Sequence, residues 1–287
     1  MSQPISPPSD SETVPSSAIG VFDSGVGGLS VLRAVRRELP HEQLIYIADQ
    51  AHVPYGPRGL EEVRTFVIGI THFLLSQPVK LIVVACNTAS AAALHHLREQ
   101  FPGVPFVGME PAVKPAAEHT QSGAVGVLAT PATFQGELYS SVVERFAHDV
   151  KVYQDTCPGL VERIEAGDLQ GTSTAAILKR AIDPMVQKGI DTIVLGCTHY
   201  PFVIPQIQHI AGPGVRVIDP APAIARQTRH VLRGMNLLAD SDDSPGVRFY
   251  TSGDPRRFLD LAAVLLGETG EVGKLRWGAG ELKRCTD

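Results

Sequence analysis

From residue 18 onward, the sequence alternates short apolar runs with longer amphipathic stretches. This alternation is typical of βα units, in which each strand is followed by a helix that packs on a mostly parallel sheet. A long helix is predicted from residue 220 onward. The predicted strands are 18–22, 44–48, 80–85, 106–108, 124–129, 150–154, 191–196, 215–219 and 247–252. We therefore expect an α/β protein with mostly parallel sheets.

The predicted strands form two series of similar rhythm, one on each side of Gly123. A chain of 287 residues is long enough for two domains of ordinary size. The first 18 residues hold six Ser, four Pro and no apolar run, and this composition predicts a disordered tail. The expected organisation is a disordered tail at 1–17, a first α/β domain at 18–109 plus 220–287 with a loop at 240–246, and a second α/β domain at 110–219.

Composition excludes several classes of protein. Hydrophobic residues make up 44% and charged residues 19%, as in ordinary globular proteins. The net charge is -5 and Lys and Arg are scattered, so no basic stripe indicates a nucleic-acid partner. No apolar run reaches the ~20 residues of a membrane helix, and the first residues do not resemble a signal peptide. We expect a soluble, cytoplasmic protein that binds neither nucleic acid nor a membrane.

Two predicted strands end on a cysteine, in LIVVAC at Cys86 and in TIVLGC at Cys197. Ligands of open parallel sheets bind beyond the carboxyl ends of the strands, where helix N-termini also point. A helix N-terminus stabilises a thiolate, so we expect the pKa of these thiols to move toward neutrality. Alternatively, either cysteine is a small buried apolar side chain, which is our interpretation of Cys157 and Cys285. Without a CxxC spacing, the four cysteines do not indicate a disulfide framework.

Matching polar pairs follow the two cysteines: Asn87 and Thr88 after the first, and Thr198 and His199 after the second. They add hydrogen-bonding groups at each strand end. Two alternative interpretations use the same residues but are weaker. The first is a zinc site formed by Cys86, Cys197 and His199, but a structural zinc site normally takes four ligands. The second is a Cys–His pair for acyl transfer, which leaves Cys86 without a role.

The stretch FDSGVGG places Asp23 and Ser24 at the end of the first predicted strand, before a glycine-rich turn. A dinucleotide-binding fingerprint is an alternative here, with Asp49 as its acidic residue. Its third glycine is replaced by Ser30, and an aspartate beside a pyrophosphate is unfavourable. We therefore favour a tight strand-to-helix turn that presents polar groups.

Four motifs, in this order, resemble those of the glutamate racemases, enzymes that interconvert L- and D-glutamate. They are DSGVGG at 23–28, PYG at 54–56, ACNTAS at 85–90 and GCTHYP at 196–201. The resemblance extends from about residue 18 to about residue 266. It implies two similar three-layer α/β domains that face each other across a central cleft, each supplying one catalytic cysteine.

The resemblance also implies roles for individual residues. Cys86 and Cys197 are the acid/base pair, assisted by Asp23 and His199, with Cys86 acting on D-glutamate and Cys197 on L-glutamate. The implied substrate contacts are Asp23, Ser24, Tyr55, Gly56, Asn87, Thr88, Thr198, His199, Glu110 and Thr130. No organic cofactor and no metal are expected, because the family uses none. A supply of D-glutamate for peptidoglycan synthesis is implied in the same way, and we expect a cytoplasmic homodimer.

Two alternative functions remain open at this point. A related racemase, such as one for aspartate, would use the same cysteines with a different side-chain pocket. A protein that keeps the fold but acts as a regulatory partner, for example of DNA gyrase, belongs to another class. The presence of both cysteines favours catalysis over such a binding role.

Overall fold

The computed structural model describes residues 17–239 and 245–285. Its strands are β1 Ala18–Asp23, β2 Leu44–Ala48, β3 Val79–Val84, β4 Phe106–Gly108, β5 Ala124–Ala129, β6 Lys151–Asp155, β7 Thr192–Gly196, β8 Arg216–Ile218, β9 Val247–Thr251, β10 Val272–Gly278 and β11 Glu281–Arg284. Its helices are α1 Leu29–Glu38, α2 Leu60–Leu75, α3 Asn87–Gln100, α4 Val113–His119, α5 Pro131–Gln135, α6 Glu137–Phe146, α7 Leu160–Glu165, α8 Thr172–Gln187, α9 Ile204–Ala211, α10 Ala221–Gly234 and α11 Pro255–Leu266.

The strands form two sheets, which confirms the predicted α/β class. The larger sheet has the order β11-β10-β9-β2-β1-β3-β4, and all its pairs are parallel except β10 with β11. The smaller sheet has the order β6-β5-β7-β8 and is entirely parallel. All nine predicted strands are present, with ends that agree within one residue.

Each sheet is covered by helices on both faces, giving three layers. Strand β1 is buried along its whole length, as its continuous apolar sequence requires in the middle of a parallel sheet. One core of the larger sheet lies under α1, α10 and α11, and the other under α2 and α3. The smaller sheet has one core under α7, α8 and α9 and another under α4 and α6.

Strands β10 and β11 were not predicted. They form an antiparallel ribbon at the edge of the larger sheet, and only two of their side chains, Leu275 and Leu282, are fully buried. The sequence VGKLRWG mixes Gly, Lys and Arg with its apolar residues, so it lacks the continuous apolar run of the other strands. Its pairing with β9 depends on a tertiary contact rather than on a local pattern.

The expected disordered tail and the expected loop before β9 fall mostly on residues that the structure does not describe. The tail at 1–17 lies outside the described residues except for Ser17, and the loop at 240–246 does so except for its last two positions. Within the described ranges, no helix combines the length and the apolar character that a membrane span requires.

A buried ion pair lies in the larger sheet, near the starts of β2 and β3. The ammonium of Lys80 on β3 and a carboxylate oxygen of Glu42, which precedes β2, are 2.6 Å apart and both residues are almost completely buried. The other oxygen of Glu42 accepts a hydrogen bond of 2.9 Å from the backbone N–H of Ala239, beyond α10. The pair therefore connects two strands to the end of a distant helix.

We predict that Glu42→Gln lowers the free energy of unfolding by about 3–5 kcal/mol, because it removes the carboxylate charge that faces the buried ammonium of Lys80. Urea unfolding followed by circular dichroism measures the change. The matched control is Glu61→Gln, since the pair of Glu61 with Arg64 is on the surface and Glu61 is 83% exposed. The control should change stability by less than about 1 kcal/mol. Equal effects in the two variants would contradict a special role of the buried pair.

Candidate active site

A small cavity lies where the carboxyl ends of strands from the two sheets meet. The side contributed by the larger sheet consists of Ser24, Pro54, Tyr55, Gly56, Cys86, Asn87 and Thr88. The side contributed by the smaller sheet consists of Thr130, Val161, Cys197, Thr198 and His199. The structure thus brings together eight of the substrate contacts expected from sequence and both cysteines. The free volume is only about 20 Å³, roughly the room that one water molecule needs.

Cys86 caps the N-terminus of helix α3. Its backbone is extended, as in other capping residues, and its sulfur accepts a hydrogen bond of 3.5 Å from the N–H of Ala89. The expected lowering of its pKa is wrong for this closed cleft. Burial raises the pKa of Cys86 well above its ordinary value, and the charge of Asp23 raises it further. Cys86 is therefore held as a neutral thiol, able to donate a proton.

Cys197 follows strand β7 but does not begin an α-helix, which differs from the expectation. A single 3-10 turn, Tyr200–Val203, comes next, and α9 begins only at Ile204. Pro201 and Pro205 occupy early positions of these elements, where a missing N–H is tolerated. The group that can stabilise a Cys197 thiolate is therefore His199, whose Nδ1 is 3.8 Å from the sulfur.

The imidazole of His199 is held from both sides. Its Nε2 lies 2.7 Å from a carboxylate oxygen of Glu165, and both residues are buried. Burial alone would lower the pKa of His199, but the hydrogen bonds with Cys197 and Glu165 and their negative charges raise it well above its ordinary value. Conversely, burial would raise the pKa of Glu165, and the bond to His199 lowers it. These shifts favour an imidazolium paired with a carboxylate, directly beside Cys197.

Glu165 is a site residue that the sequence analysis did not identify. It lies at the end of α7, and its oxygen Oε1 also accepts a 2.8 Å hydrogen bond from the N–H of Val26, at the start of the larger sheet's first turn. One sequence signal could have indicated it. Glu165 lies one helical turn after Val161, on the apolar face of α7, where a carboxylate is costly without a partner.

Asp23 lies behind the cavity wall and joins the two halves of the site. Its Oδ2 accepts hydrogen bonds from the backbone N–H groups of Gly25 (3.1 Å) and Gly28 (3.0 Å), which fixes the glycine-rich turn. Its Oδ1 accepts a 3.3 Å hydrogen bond from the hydroxyl of Thr198 of the smaller sheet. Burial raises the pKa of Asp23 despite the positive charge of His199. Asp23 is thus placed to influence Cys86 without lining the cavity.

The side-chain amide of Asn87 is buried in the cavity wall, and neither its nitrogen nor its oxygen has a hydrogen-bond partner within the part of the chain that the structure describes. Buried amide groups are normally satisfied, so an unpaired one in a cavity indicates a polar ligand that supplies the missing bonds. An amide offers two donors and one acceptor oxygen, which suits a group with a carboxylate beside an ammonium. An amino acid carries both groups on one carbon.

The opposite end of the cavity is formed by threonines and by the Tyr55–Gly56 segment. The hydroxyl of Thr130 lies 2.8 Å from that of Thr88 and 3.0 Å from that of Thr133. Gly56 packs so closely on Thr130 that an added Cβ would lie 2.7 Å from the threonine Cβ. The carbonyl of Gly56 accepts a 3.1 Å hydrogen bond from the N–H of Ala132. These contacts close the cleft between the two sheets.

The structure does not bring Glu110 to this cavity, which corrects the sequence-based assignment. Its side chain is exposed, and it lines a separate cavity with Arg98 and Lys114. The reason is topological. Strand β4 ends at Gly108 on the edge of the larger sheet, and the chain then crosses to the smaller sheet instead of continuing toward the cysteines. Conversely, Val161 lines the cavity although no sequence signal indicated it.

The sequence model of the Asp/Glu/Hydantoin racemase family matches residues 19–228. The glutamate racemase of Pseudomonas aeruginosa is 52% identical over 262 residues, which cover 91% of this chain and 98% of that protein. The chain belongs to the Asp/Glu/Hydantoin racemase family. A glutamate racemase isoform from Bacillus anthracis has a similar crystal structure, with a TM-score of 0.82, 36% identity and coverage of 92% of this chain and 98% of that one. The glutamate racemase of Francisella tularensis in complex with D-glutamate gives a TM-score of 0.80 at 31% identity, over 91% and 98% of the two chains.

Family membership confirms the resemblance that the four motifs indicated and identifies the chain as an isomerase. Family membership favours the interpretation of the glycine-rich turn as part of a racemase site over that of a dinucleotide-binding turn. Within 17–239 and 245–285, no group of three or more His, Cys, Asp or Glu side chains is placed to hold a metal ion.

Gly27, the second glycine of the turn after β1, allows the larger sheet to come close to His199 of the smaller sheet. A Cβ added at Gly27 would lie 2.4 Å from Nδ1 of His199. We predict that Gly27→Ala displaces the imidazole from Cys197 and lowers kcat/KM for L-glutamate by roughly 10- to 100-fold, because a small misplacement of a catalytic group is costly. Gly59→Ala is the control, since nothing lies within 4 Å of its added Cβ. Full activity of Gly27→Ala in a racemisation assay would contradict the prediction.

Proposed function

We propose that this cavity interconverts L- and D-glutamate by moving a proton between the two faces of the α-carbon. The observation that carries the proposal is the placement of two thiols, from opposite sheets, in one cavity with the unpaired amide of Asn87. Inversion of a stereocentre by proton exchange requires one group to remove the α-hydrogen and another to return a proton to the other face. Cys86 and Cys197 are those two groups.

The two thiols differ in their surroundings, which sets their starting roles. Burial raises the pKa of Cys86, whereas Cys197 has the buried Glu165–His199 pair beside it, with Nδ1 of His199 3.8 Å from its sulfur. We therefore assign removal of the proton from L-glutamate to Cys197 and its return on the opposite face to Cys86. In the reverse direction the roles exchange, with Asp23 assisting Cys86 and His199 assisting Cys197.

The remaining cavity residues are proposed substrate contacts. Asn87, Thr88 and Thr198 supply hydrogen bonds to the carboxylate and ammonium on the α-carbon. Ser24, Tyr55, Gly56 and Thr130 contact the rest of the substrate. Fixed donors in a site that excludes water stabilise the carbanion-like transition state, because they need no reorganisation when charge develops.

Glutamate has ten non-hydrogen atoms and does not fit in about 20 Å³, so the cleft opens to admit it. The hydrogen bonds that hold the closed form include those from Ser30 to the carbonyl of Thr198 (3.0 Å), from Ala132 to Gly56 (3.1 Å) and from Val26 to Glu165 (2.8 Å). We propose that the two units that separate are 18–109 plus 220–287 and 110–219. The chain passes between them only at two short connections, after β4 and after β8.

The biological setting belongs to the same proposal and rests on the relatives. A cytoplasmic enzyme that makes D-glutamate would supply peptidoglycan synthesis, and the glutamate racemase of Francisella tularensis is described in complex with D-glutamate. A homodimer is proposed on the same basis.

Isotope exchange tests the two-base mechanism. Incubation of the purified protein with L-glutamate in deuterium oxide, without pyridoxal phosphate, should give D-glutamate labelled at the α-carbon. Cys86→Ser and Cys197→Ser should each lower racemisation by roughly 10²- to 10⁴-fold, because the serine hydroxyl is a far weaker acid than a thiol. Each variant keeps one base. Cys197→Ser should therefore exchange D-glutamate faster than L-glutamate, and Cys86→Ser the reverse.

Cys285→Ser is the control for these variants, because Cys285 is half-buried near the chain end and does not line the cavity. Exchange on L-aspartate, measured in parallel, identifies the side chain that the site accepts. Absence of inversion in the wild-type protein with intact thiols, or faster exchange on L-aspartate than on L-glutamate, would contradict the proposal.

The Glu165–His199 pair predicts a pH dependence. In the folded protein the pKa of His199 is raised, so its imidazolium persists at pH values where an ordinary histidine is neutral. The imidazolium, and its effect on Cys197, is lost as the pH rises through that pKa. Glu165→Gln removes the negative charge that favours the imidazolium. The alkaline limb of kcat/KM for L-glutamate should move to lower pH, with activity on that limb about tenfold below wild type.

The matched control is Glu162→Gln, which removes an exposed carboxylate from the same helix, one turn earlier. Its pH profile should follow that of the wild type. An unchanged alkaline limb in Glu165→Gln would show that the carboxylate does not act through His199.

A further inference from the structure

The buried carboxylate of Asp49 is surrounded by four side-chain partners, which together we call the Asp49 cluster: His52, Tyr55, Ser252 and Trp277. Oδ2 accepts a 2.6 Å hydrogen bond from the hydroxyl of Tyr55 and lies 2.8 Å from Nδ1 of His52. Oδ1 accepts hydrogen bonds from the hydroxyl of Ser252 (2.6 Å) and the indole N–H of Trp277 (2.7 Å). Asp49 itself is completely buried and does not line the cavity.

The partners come from three distant parts of the chain. Tyr55 follows β2, Ser252 follows β9, and Trp277 lies on β10 of the C-terminal ribbon, beyond residue 228, where the match to the family model ends. The indole is fixed by its neighbours. It packs on α2 at Gly69, where an added Cβ would lie 2.6 Å from the ring, and the edge of His52 approaches it with ring centroids 5.1 Å apart.

Tyr55 connects this cluster to the substrate cavity. Its ring lines the cavity, but its hydroxyl donates to Asp49 and so points away from the substrate. The next residue, Gly56, carries the contact with Thr130 across the cleft. A buried carboxylate that accepts several hydrogen bonds is costly to leave unpaired, so its donors hold it in one position, and it in turn holds Tyr55.

We infer that Trp277 and Asp49 are positioning residues that fix the Tyr55–Gly56 wall of the substrate cavity from the C-terminal ribbon. This inference rests on the proposed function of that cavity. Neither residue touches the substrate. They act through Tyr55, which contacts the substrate equally in the ground state and in the transition state. Loss of Trp277 or Asp49 should therefore raise KM more than it lowers kcat.

Trp277→Phe keeps an aromatic ring in the packed position and removes only the indole N–H donor. We expect KM for glutamate to rise by about five- to tenfold, with kcat within about twofold of wild type, because uniform binding is lost. Ser252→Ala removes a second donor from the same carboxylate oxygen and should give the same pattern.

The control for a merely structural effect is Leu282→Ala. Leu282 is buried and pairs with Trp277 across the ribbon, but it makes no bond to Asp49. This variant should lower the unfolding temperature while leaving KM unchanged. A rise in KM in Leu282→Ala equal to that in Trp277→Phe would show that the ribbon acts only through stability, and would overturn the inference.

Fluorescence gives an independent readout, because Trp277 is the single tryptophan of the chain. Titration of the wild-type protein with D-glutamate should change the emission saturably, with a half-point near KM, and Tyr55→Phe should weaken the change by cutting the link to Asp49. No emission change at saturation, or an unchanged KM in both Trp277→Phe and Ser252→Ala, would overturn the inference. A wild-type protein without α-carbon exchange would instead contradict the proposed function, so the two failures are distinguishable.

Discussion

The buried carboxylate of Asp23 is the point on which the arrangement of the site depends. One of its oxygens holds the glycine-rich turn after β1, and the other accepts a hydrogen bond from Thr198, beside the second cysteine. A single side chain therefore fixes the end of an inner strand of one sheet against the end of an inner strand of the other. Because burial of a carboxylate is costly without such partners, the contact favours one relative position of the two sheets.

This constraint explains why the two thiols acquire different properties in one small cavity. Burial and the charge of Asp23 raise the pKa of Cys86. Cys197 instead lies beside His199, whose other ring nitrogen is bonded to Glu165. Different neighbours are a common way of giving opposite roles to groups of the same type, as we propose for these two thiols. The asymmetry suits a reaction that must run in both directions.

The glycines of the site act by allowing contact between the halves. A side chain at Gly27 would meet the imidazole of His199, one at Gly25 would meet the carboxylate of Glu165, and one at Gly56 would meet Thr130. These positions bring backbone from the larger sheet directly against functional side chains of the smaller sheet. Little room for water remains as a result, and among the described residues the amide of Asn87 has no hydrogen-bond partner.

The sequence by itself determined the nine parallel strands and the positions of both cysteines, because continuous apolar runs and strand-end residues are local signals. It could not determine that Glu165 pairs with His199 or that Trp277 reaches Asp49, since these contacts join residues far apart in the chain. It also placed Glu110 at the wrong cavity, because the crossing of the chain after β4 has no local signal. Strand ends are local properties, whereas the surroundings that set charge and pKa are created only when the two sheets meet.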